Sequence, residues 1–153
     1  MSNENKPATV NDLSPQDQFK HSQIEAKVRE LHAQIGQDYD GNGERVAAGL
    51  LERYKAAGLK GDVSGVYLSQ ANAYVKNGEN IIGVVGDRND PANQTFHGRS
   101  ADLIATPQHV SFERTIELDR QQQFDLQRQQ TQQQTQQATR DQESMDRGSR
   151  SLL

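Results

Sequence analysis

Apolar residues recur mostly every three or four positions over the stretch Pro15–Gly36, among charged and polar neighbours. This is the spacing of one face of an α-helix, so a first helix is predicted there. Ser14 can cap its first turn, Pro15 suits the first helical position, and Gly36 is the residue type that commonly ends a helix. The side chains expected to form its buried stripe are Phe19, Ile24, Val28, Leu31 and Ile35.

A second helix is predicted after a turn at Asp38–Gly43. Asn42 or its neighbour is expected to cap it. The helix is expected to run through Ala57, with Gly58 ending it. Its apolar face would consist of Val46, Leu50, Leu51 and Tyr54.

Two stretches rich in β-branched residues then predict strands at Val63–Ser69 and Ile81–Gly86. Asn77-Gly78 between them is a turn signal of the kind that joins antiparallel strands. A further turn is expected at Asp87–Asn93, before a short third strand candidate at Thr95–Arg99.

The last helix of the folded part is predicted to open at Thr106-Pro107 and to reach Leu118. The element order is then α-α-β-β-(β)-α. This order predicts an α+β fold, in which a small antiparallel sheet of two to three strands packs with about three helices on one face.

The apolar content of the chain falls away almost completely after Leu118. Over Gln121–Gln142, twelve of the 22 residues are glutamine, which tolerates a helix but offers no apolar stripe for docking. We therefore expect a disordered linker at 1–13, an α+β recognition domain at 14–118 and a Gln-rich flexible tail at 119–153. The tail would be disordered or a fraying helix.

The formal net charge of the chain is −4, and it lies on the part before the tail, where acidic residues exceed basic ones. A mildly acidic body argues against DNA or RNA as the partner. No apolar run approaches the length of about 18 residues that a membrane span needs. The polar N-terminus does not resemble a secretory signal peptide, and the lack of cysteine excludes disulfides and zinc–thiolate sites. We expect a monomer.

The segment Asp38–Glu44 matches the start of a calcium-binding loop, with oxygen ligands at its first, third and fifth positions and glycine at its sixth. The twelfth position should supply a bidentate carboxylate, but this residue is Gly49. Asp, Asn and Gly also favour turns and helix caps. A turn with an N-cap is therefore the favoured interpretation, and a calcium-responsive adaptor remains an alternative.

Catalytic chemistry has no recognisable signature in the sequence, which contains neither a phosphate-binding glycine loop nor a nucleophile elbow. Carboxylates such as Glu52 and Asp87 can still meet in space, so a small enzyme or toxin domain with an unrecognised carboxylate site remains open. No catalytic, metal-binding or cofactor-binding residue is predicted. The histidines are scattered and are expected to be exposed rather than to share a metal; they are His21, His32, His97 and His109.

Several short motifs follow one another in a fixed order. In sequence order the motifs are Tyr39-Asp40 with Glu44-Arg45, Ala47-Ala48 and Leu50; Gly58-Leu59 with Gly61-Asp62-Val63; Ile82–Gly86 with Asp90-Pro91; and Thr106-Pro107.

Together with the Gln-rich end, this series resembles XVIPCD over residues 17–142. XVIPCD is the C-terminal domain of effectors that the bacteria-killing type IV secretion systems of xanthomonads and their relatives export. The chain departs from the family pattern at Gly43, where serine is usual, and at Val85, where glutamine is usual. Gly61-Asp62 replaces an Ile-Asp pair.

The resemblance implies a secretion signal without enzymatic activity. In this family the domain is bound by the type IV coupling protein, the ATPase that feeds substrates to the channel, through its cytosolic all-helical domain. The resemblance also implies an upstream toxin domain in the full effector, and export from the cytoplasm of the producing bacterium into a target cell. The regions expected to contact the partner contain Gly58, Leu59, Asp62, Val63, Val84, Gly86, Asp90, Pro91, Thr106, Pro107, Gln121, Gln122, Gln123, Gln129 and Gln130.

Overall fold

A computed structural model describes residues 6–71 and 77–151, with side chains described as far as residue 144. The chain divides into two compact units, Met1–Leu118 and Asp119–Leu153, here called the body and the tail. The start of the predicted linker, before residue 6, and the end of the predicted tail, after residue 151, lie outside the described residues.

The first helix, α1, spans Pro15–Gln34 and begins as predicted. The Ser14 hydroxyl accepts a hydrogen bond from the Asp17 amide at 3.2 Å and so satisfies one of the free donors of the first turn. The predicted stripe is buried at Ile24, Val28 and Leu31.

The prediction of burial is wrong for the two ends of that stripe. Phe19 is 63% exposed and Ile35 is 41% exposed. Phe19 lies five positions before Ile24, which turns its side chain well away from the buried face, since successive helical residues are about 100° apart. Ile35 is the C-cap residue and lies beyond the last turn of α1.

The second helix, α2, spans Gly41–Ala56, and its cap is Asp40 rather than Asn42. One carboxylate oxygen of Asp40 accepts hydrogen bonds from the amides of Asn42 and Gly43, at 3.0 and 3.4 Å. The apolar face of α2 is confirmed by its buried residues Val46, Ala47, Ala48, Leu50, Leu51 and Tyr54.

Three antiparallel strands form one sheet in the order β1 (Val63–Leu68), β2 (Asn80–Val85) and β3 (Gln94–Arg99). Phe96 of β3 pairs with Gly83 of β2. A Cβ atom at position 83 would collide with the Phe96 ring, so glycine leaves the space that the aromatic side chain fills. The predicted α+β class and its small antiparallel sheet are confirmed.

A short helix that the sequence did not predict, α3, spans Ser100–Ala105. Its one buried residue is Leu103, and six residues are too few to show a helical period. The Leu103 side chain packs beside Gly49 of α2 and Gly98 of β3, where Cβ atoms would crowd it. Gly49, which is distant in sequence, and the nearby Gly98 thus form its packing site.

The last helix, α4, spans Gln108–Ser151 and therefore begins just after Thr106-Pro107. Its part within the body contributes the fully buried Ser111, Phe112 and Thr115. The part within the tail is helical, so the structure shows the helical form of the two that the sequence allowed.

The end of the predicted linker differs from expectation. Thr9 and Asp12 form a capping box around a 3₁₀ turn at Val10–Asp12. Leu13 is 4% exposed and belongs to the core. Local capping and the burial of Leu13 hold this segment on the body, which composition alone did not indicate.

Candidate functional site

The loop that joins α2 to β1 contains the second motif, beginning at Gly58. Gly58 has a φ angle of +67°, a left-handed conformation that glycine adopts without strain, and it follows the end of α2. Leu59 is half-buried and packs against the core. The motif therefore turns the chain and anchors the turn.

The rest of this loop is fixed to α1 by polar side chains. The Lys20 ammonium donates to the Gly61 carbonyl at 2.6 Å. The Gln23 side-chain amide donates to the Asp62 carboxylate at 2.8 Å, and its oxygen accepts from the Val63 amide at 3.2 Å. The Asp62 side chain is nevertheless 85% exposed. The loop thus presents a positioned carboxylate to solvent.

Aromatic side chains flank the same loop. The Tyr54 hydroxyl donates to the Gly61 carbonyl at 2.9 Å, and the Lys20 ammonium lies 5.1 Å from the Tyr54 ring centroid. Burial raises the pKa of Tyr54 and lowers the pKa of Lys20, with Asp62 opposing the Lys20 shift. The Lys20 ammonium also lies 5.9 Å from the centroid of the exposed Phe19 ring, which places Phe19 beside the loop.

The start of β1 contains a β-bulge, at which Ser64 has no direct partner in β2. The Ser64 hydroxyl donates to the carbonyls of Val84 and Gly86. The Gly86 amide in turn donates to the Asp62 carbonyl at 3.4 Å. Bulges redirect strands and are common next to functional sites. Here the bulge ties the second motif to the end of the third.

The turn from Asp87 to Asn93 continues from this point. The Asp87 carboxylate accepts from the Asn89 amide at 2.9 Å, and the Asp90 carboxylate accepts from the Ala92 amide at 2.9 Å. Pro91 is exposed at the tip. These two side chain-to-backbone turns give the connection a defined shape without a buried core.

We call Gly58–Val63, Gly86 and Asp87–Asn93 together the motif end. Phe19 borders the motif end but is not among the predicted contact residues. Its five-residue step to Ile24 is the sequence feature that indicates an exposed side chain. The motif end brings together seven of the predicted contact residues: Gly58, Leu59, Asp62, Val63, Gly86, Asp90 and Pro91.

Val84 is buried, but on the face of the sheet that points away from Phe96. Its partner in β1 is Gly65, and the Tyr67 ring lies over the Gly65 backbone. The Arg88 guanidinium stacks on that ring at 4.1 Å. Val84 therefore packs on the outer sheet face, where it is only 4% exposed.

Thr106-Pro107 lies away from the motif end, at the end of the body where α2 begins. The Thr106 hydroxyl donates to the Asp102 carbonyl at 2.7 Å and ends α3. Pro107 shares a shallow hollow with Ala8–Val10 and Gly41. The structure thus separates this motif from the second and third motifs, which form the motif end.

The predicted tail glutamines lie on α4, where Gln122 is half-buried and Gln121, Gln123, Gln129 and Gln130 are exposed. Phe124 and Leu126 are exposed as well, at 57% and 50%. Three threonine hydroxyls, those of Thr131, Thr135 and Thr139, each donate to the carbonyl four residues earlier. The tail surface is therefore a run of amides with two apolar side chains near its start.

The family model described as X-Tfes, XVIPCD matches residues 15–117. This span covers the body from the first residue of α1 and includes the four short motifs of the resemblance, but it ends before the Gln-rich stretch. The chain belongs to the XVIPCD family. No curated protein matches the chain. An XVIPCD is a secretion-signal domain of type IV effectors, so export through a type IV secretion system follows from the family.

Two histidines of this XVIPCD are buried, and the prediction that all four are exposed is wrong for them. His21 is 5% exposed and contacts Phe112 edge-on, with ring centroids 5.3 Å apart. Burial lowers the pKa of His21, and the nearby Glu25 carboxylate opposes this shift. His32 is 8% exposed, and its Nδ1 lies 3.1 Å from the Asp38 carbonyl oxygen. Both serve packing between helices.

The first XVIPCD motif joins α1 to α2. The Tyr39 hydroxyl donates to Glu25 at 2.9 Å, and the Arg29 guanidinium lies 4.1 Å from the Tyr39 ring centroid. Burial and the Glu25 hydrogen bond raise the pKa of Tyr39 well above its usual value. A Cβ atom at Gly43 would lie 2.7 Å from the Tyr39 ring, and Asp40 caps α2. The turn with an N-cap is thus confirmed for this segment.

The carboxylates considered for an enzyme are engaged in different places. Glu52 forms ion pairs with Arg53 and Arg114 at 3.9 and 3.7 Å, whereas Asp87 shapes the turn after β2. Within residues 6–71 and 77–151, no three histidine or acidic side chains are grouped so that they could hold a metal ion. None of the helices in those ranges is both long and apolar enough to cross a membrane.

Proposed function

We propose that this domain is the export signal by which a type IV coupling protein selects its effector, and that the coupling protein's cytosolic all-helical domain binds the motif end. The observation that carries the proposal is that two of the family motifs meet in space. Two motifs that are separate in sequence, Gly58–Val63 and Gly86–Pro91, lie side by side at one end of the sheet, joined through the Gly86–Asp62 hydrogen bond.

The chemistry of the motif end supports protein recognition. Phe19 supplies an exposed aromatic side chain, and aromatic anchors contribute much of the energy at protein interfaces. Asp62 supplies an exposed carboxylate beside it, as in an apolar contact with a polar rim. Because Lys20 and Gln23 already hold the loop, little conformational entropy is lost on binding.

The tail adds a second contact region in this proposal. Its glutamines offer paired donors and acceptors along α4, and they include Gln121–Gln123 and Gln129-Gln130. Thr106-Pro107 lies between the motif end and the tail in sequence. In this proposal it contributes to binding by setting where α4 begins. Since the body is acidic, association with a basic partner surface weakens as salt increases.

The wider biological role follows from the same proposal. The full effector carries a toxin domain upstream of this one, and the signal recruits it in the cytoplasm of the producing bacterium. The coupling protein then passes it to the channel, which delivers it into a rival cell. The domain itself performs no chemistry.

The proposal is tested by titrating the chain with the purified all-helical domain of a type IV coupling protein. Calorimetry measures the affinity, and amide NMR shows which residues shift during the titration. We expect saturable binding, with shifts concentrated at Phe19, Gly58–Val63 and Gly86–Pro91. Phe19→Ala and Asp62→Ala should each weaken binding by about tenfold, as expected for contacts near the centre of an interface.

Glu30→Ala is the matched control, because it removes an exposed carboxylate of α1 that is outside the motif end. It should leave the affinity unchanged. Deletion of residues 119–153 should weaken binding while leaving the motif-end shifts in place, and an unchanged affinity would refute the role of the tail. Absence of binding by the intact chain would refute the proposal as a whole.

A further inference from the structure

A second hollow lies at the end of the body away from the motif end, where β1 ends and α2 begins. Its cavity volume is about 500 Å³. We call it the groove. Its lining is mixed, and the apolar part comes from α1, α2, α3 and the sheet: Leu31, Ile35, Val46, Leu68, Ile81 and Ile104.

Two of the apolar side chains that line the groove are exposed. Ile35 is 41% exposed and Ile104 is 38% exposed. They project from different elements, the C-cap of α1 and the short helix α3, toward one hollow. The walls are fixed by local bonds, such as the 2.6 Å hydrogen bond from the Ser100 hydroxyl to the Gly78 carbonyl. The groove thus presents two exposed aliphatic side chains beside a wall that a hydrogen bond holds in place.

The polar lining of the groove contains two carboxylates, and its other polar side chains are His32, Gln37, Asn42 and Ser100. Asp38 and Asp40 line it, and the described part of the chain contributes no lysine or arginine to that lining. The nearby Arg45 donates to the Ile104 carbonyl at 3.4 Å but lines a different hollow, on the side of Pro107. An occupant therefore meets aliphatic side chains and a negative rim.

We propose that the groove is a second docking surface for the coupling protein's all-helical domain. It takes a surface segment in which an aliphatic or aromatic side chain stands next to lysine or arginine. The inference rests on the proposed function. The charge complementarity that supports it is the pair of carboxylates, Asp38 and Asp40, beside the aliphatic side chains, which a basic and apolar segment matches and an acidic one does not.

The test compares three variants of the full chain in titrations with the same all-helical domain. Asp38→Lys reverses the charge of the rim, and Ile104→Ser removes an apolar wall. Glu30→Lys is the control, because it makes the same change in net charge on an exposed part of α1 that does not line the groove. Urea denaturation of each variant shows that it remains folded.

We expect Asp38→Lys to weaken binding by about tenfold near 0.02 M salt and by much less near 0.15 M, because added salt screens the rim. Ile104→Ser should weaken binding by about tenfold at both salt concentrations. Glu30→Lys should change the affinity by less than about threefold.

The outcomes separate the two proposals. If the wild-type chain binds and both groove variants bind as tightly, the groove inference is overturned while the proposed function stands. If Glu30→Lys weakens binding as much as Asp38→Lys, the effect is one of net charge and the inference also fails. If the wild-type chain does not bind at all, the proposed function fails, and this inference fails with it.

Discussion

The Lys55 ammonium lies 3.0 Å from the Asp17 carboxylate, and the two side chains are only 12% and 8% exposed. The pair joins the last turn of α2 to the first turn of α1. A buried ion pair of this kind need not add net stability, but removing one partner leaves the other charge buried.

Lys55→Met should therefore lower the free energy of unfolding by about 3–5 kcal/mol, measured by urea denaturation at neutral pH. Lys27→Met is the control, because Lys27 pairs with Glu30 at 3.5 Å on the surface, where such a pair contributes about 0–1 kcal/mol. Equal effects of the two substitutions would contradict the buried role of Lys55.

Leu103 and Ile104 are neighbours on α3 with different surroundings. Leu103 is 2% exposed and packs between Gly49 and Gly98, whereas Ile104 is 38% exposed. Leu103→Ala should cost about 2–5 kcal/mol of unfolding free energy, since it opens a cavity that rigid strand and helix backbones cannot fill. Ile104→Ala should cost less than about 1 kcal/mol. Comparable losses would show that α3 does not pack as described.

His21 should make the stability of the body depend on pH. Burial against Phe112 lowers its folded-state pKa, and the facing Glu25 carboxylate opposes this only in part. The unfolded chain therefore takes up a proton near pH 6.5 that the folded chain resists. The unfolding free energy should fall as the pH drops below about 6.5, by up to about 1.4 kcal/mol per pH unit, until the folded pKa is reached.

His21→Gln should flatten this dependence in denaturation curves recorded from about pH 7.5 to 5. His97→Gln is the control, because His97 is exposed on β3 and should leave the slope unchanged. If the slope survives in His21→Gln, another group is responsible for it.

The tail should be dispensable for the stability of the body. Among the side chains described, the last member of the buried hydrophobic core along the sequence is Phe112, and Ile116 packs against that core. A chain that ends at Leu118 should unfold in urea with a free energy within about 0.5 kcal/mol of that of the full chain. Phe112→Ala, by comparison, should cost about 3–5 kcal/mol. A large loss on truncation would mean that the tail supports the body.

The hydrophobic pattern predicted the long local elements well. Apolar spacing located α1 and α2, the cap Ser14 located the start of α1, and β-branched runs located the strands, because periods of 3.6 and 2 residues are properties of single segments. The ordered motifs sufficed for the family, since they are local strings of residues. The α+β class followed from the order of those elements.

Tertiary contacts decided the rest. Leu103 makes α3 a packed element only because Gly49 of α2, which is distant in sequence, approaches it beside the nearby Gly98. His21 is buried because Phe112 of α4 lies against it, and no periodicity of α1 indicates that partner. The motif end and the groove exist because strand pairing gathers turns at opposite ends of the sheet. Local patterns determine which helices and strands form. Which side chains are buried, and which surfaces the elements create together, depends on contacts between residues that are distant in sequence.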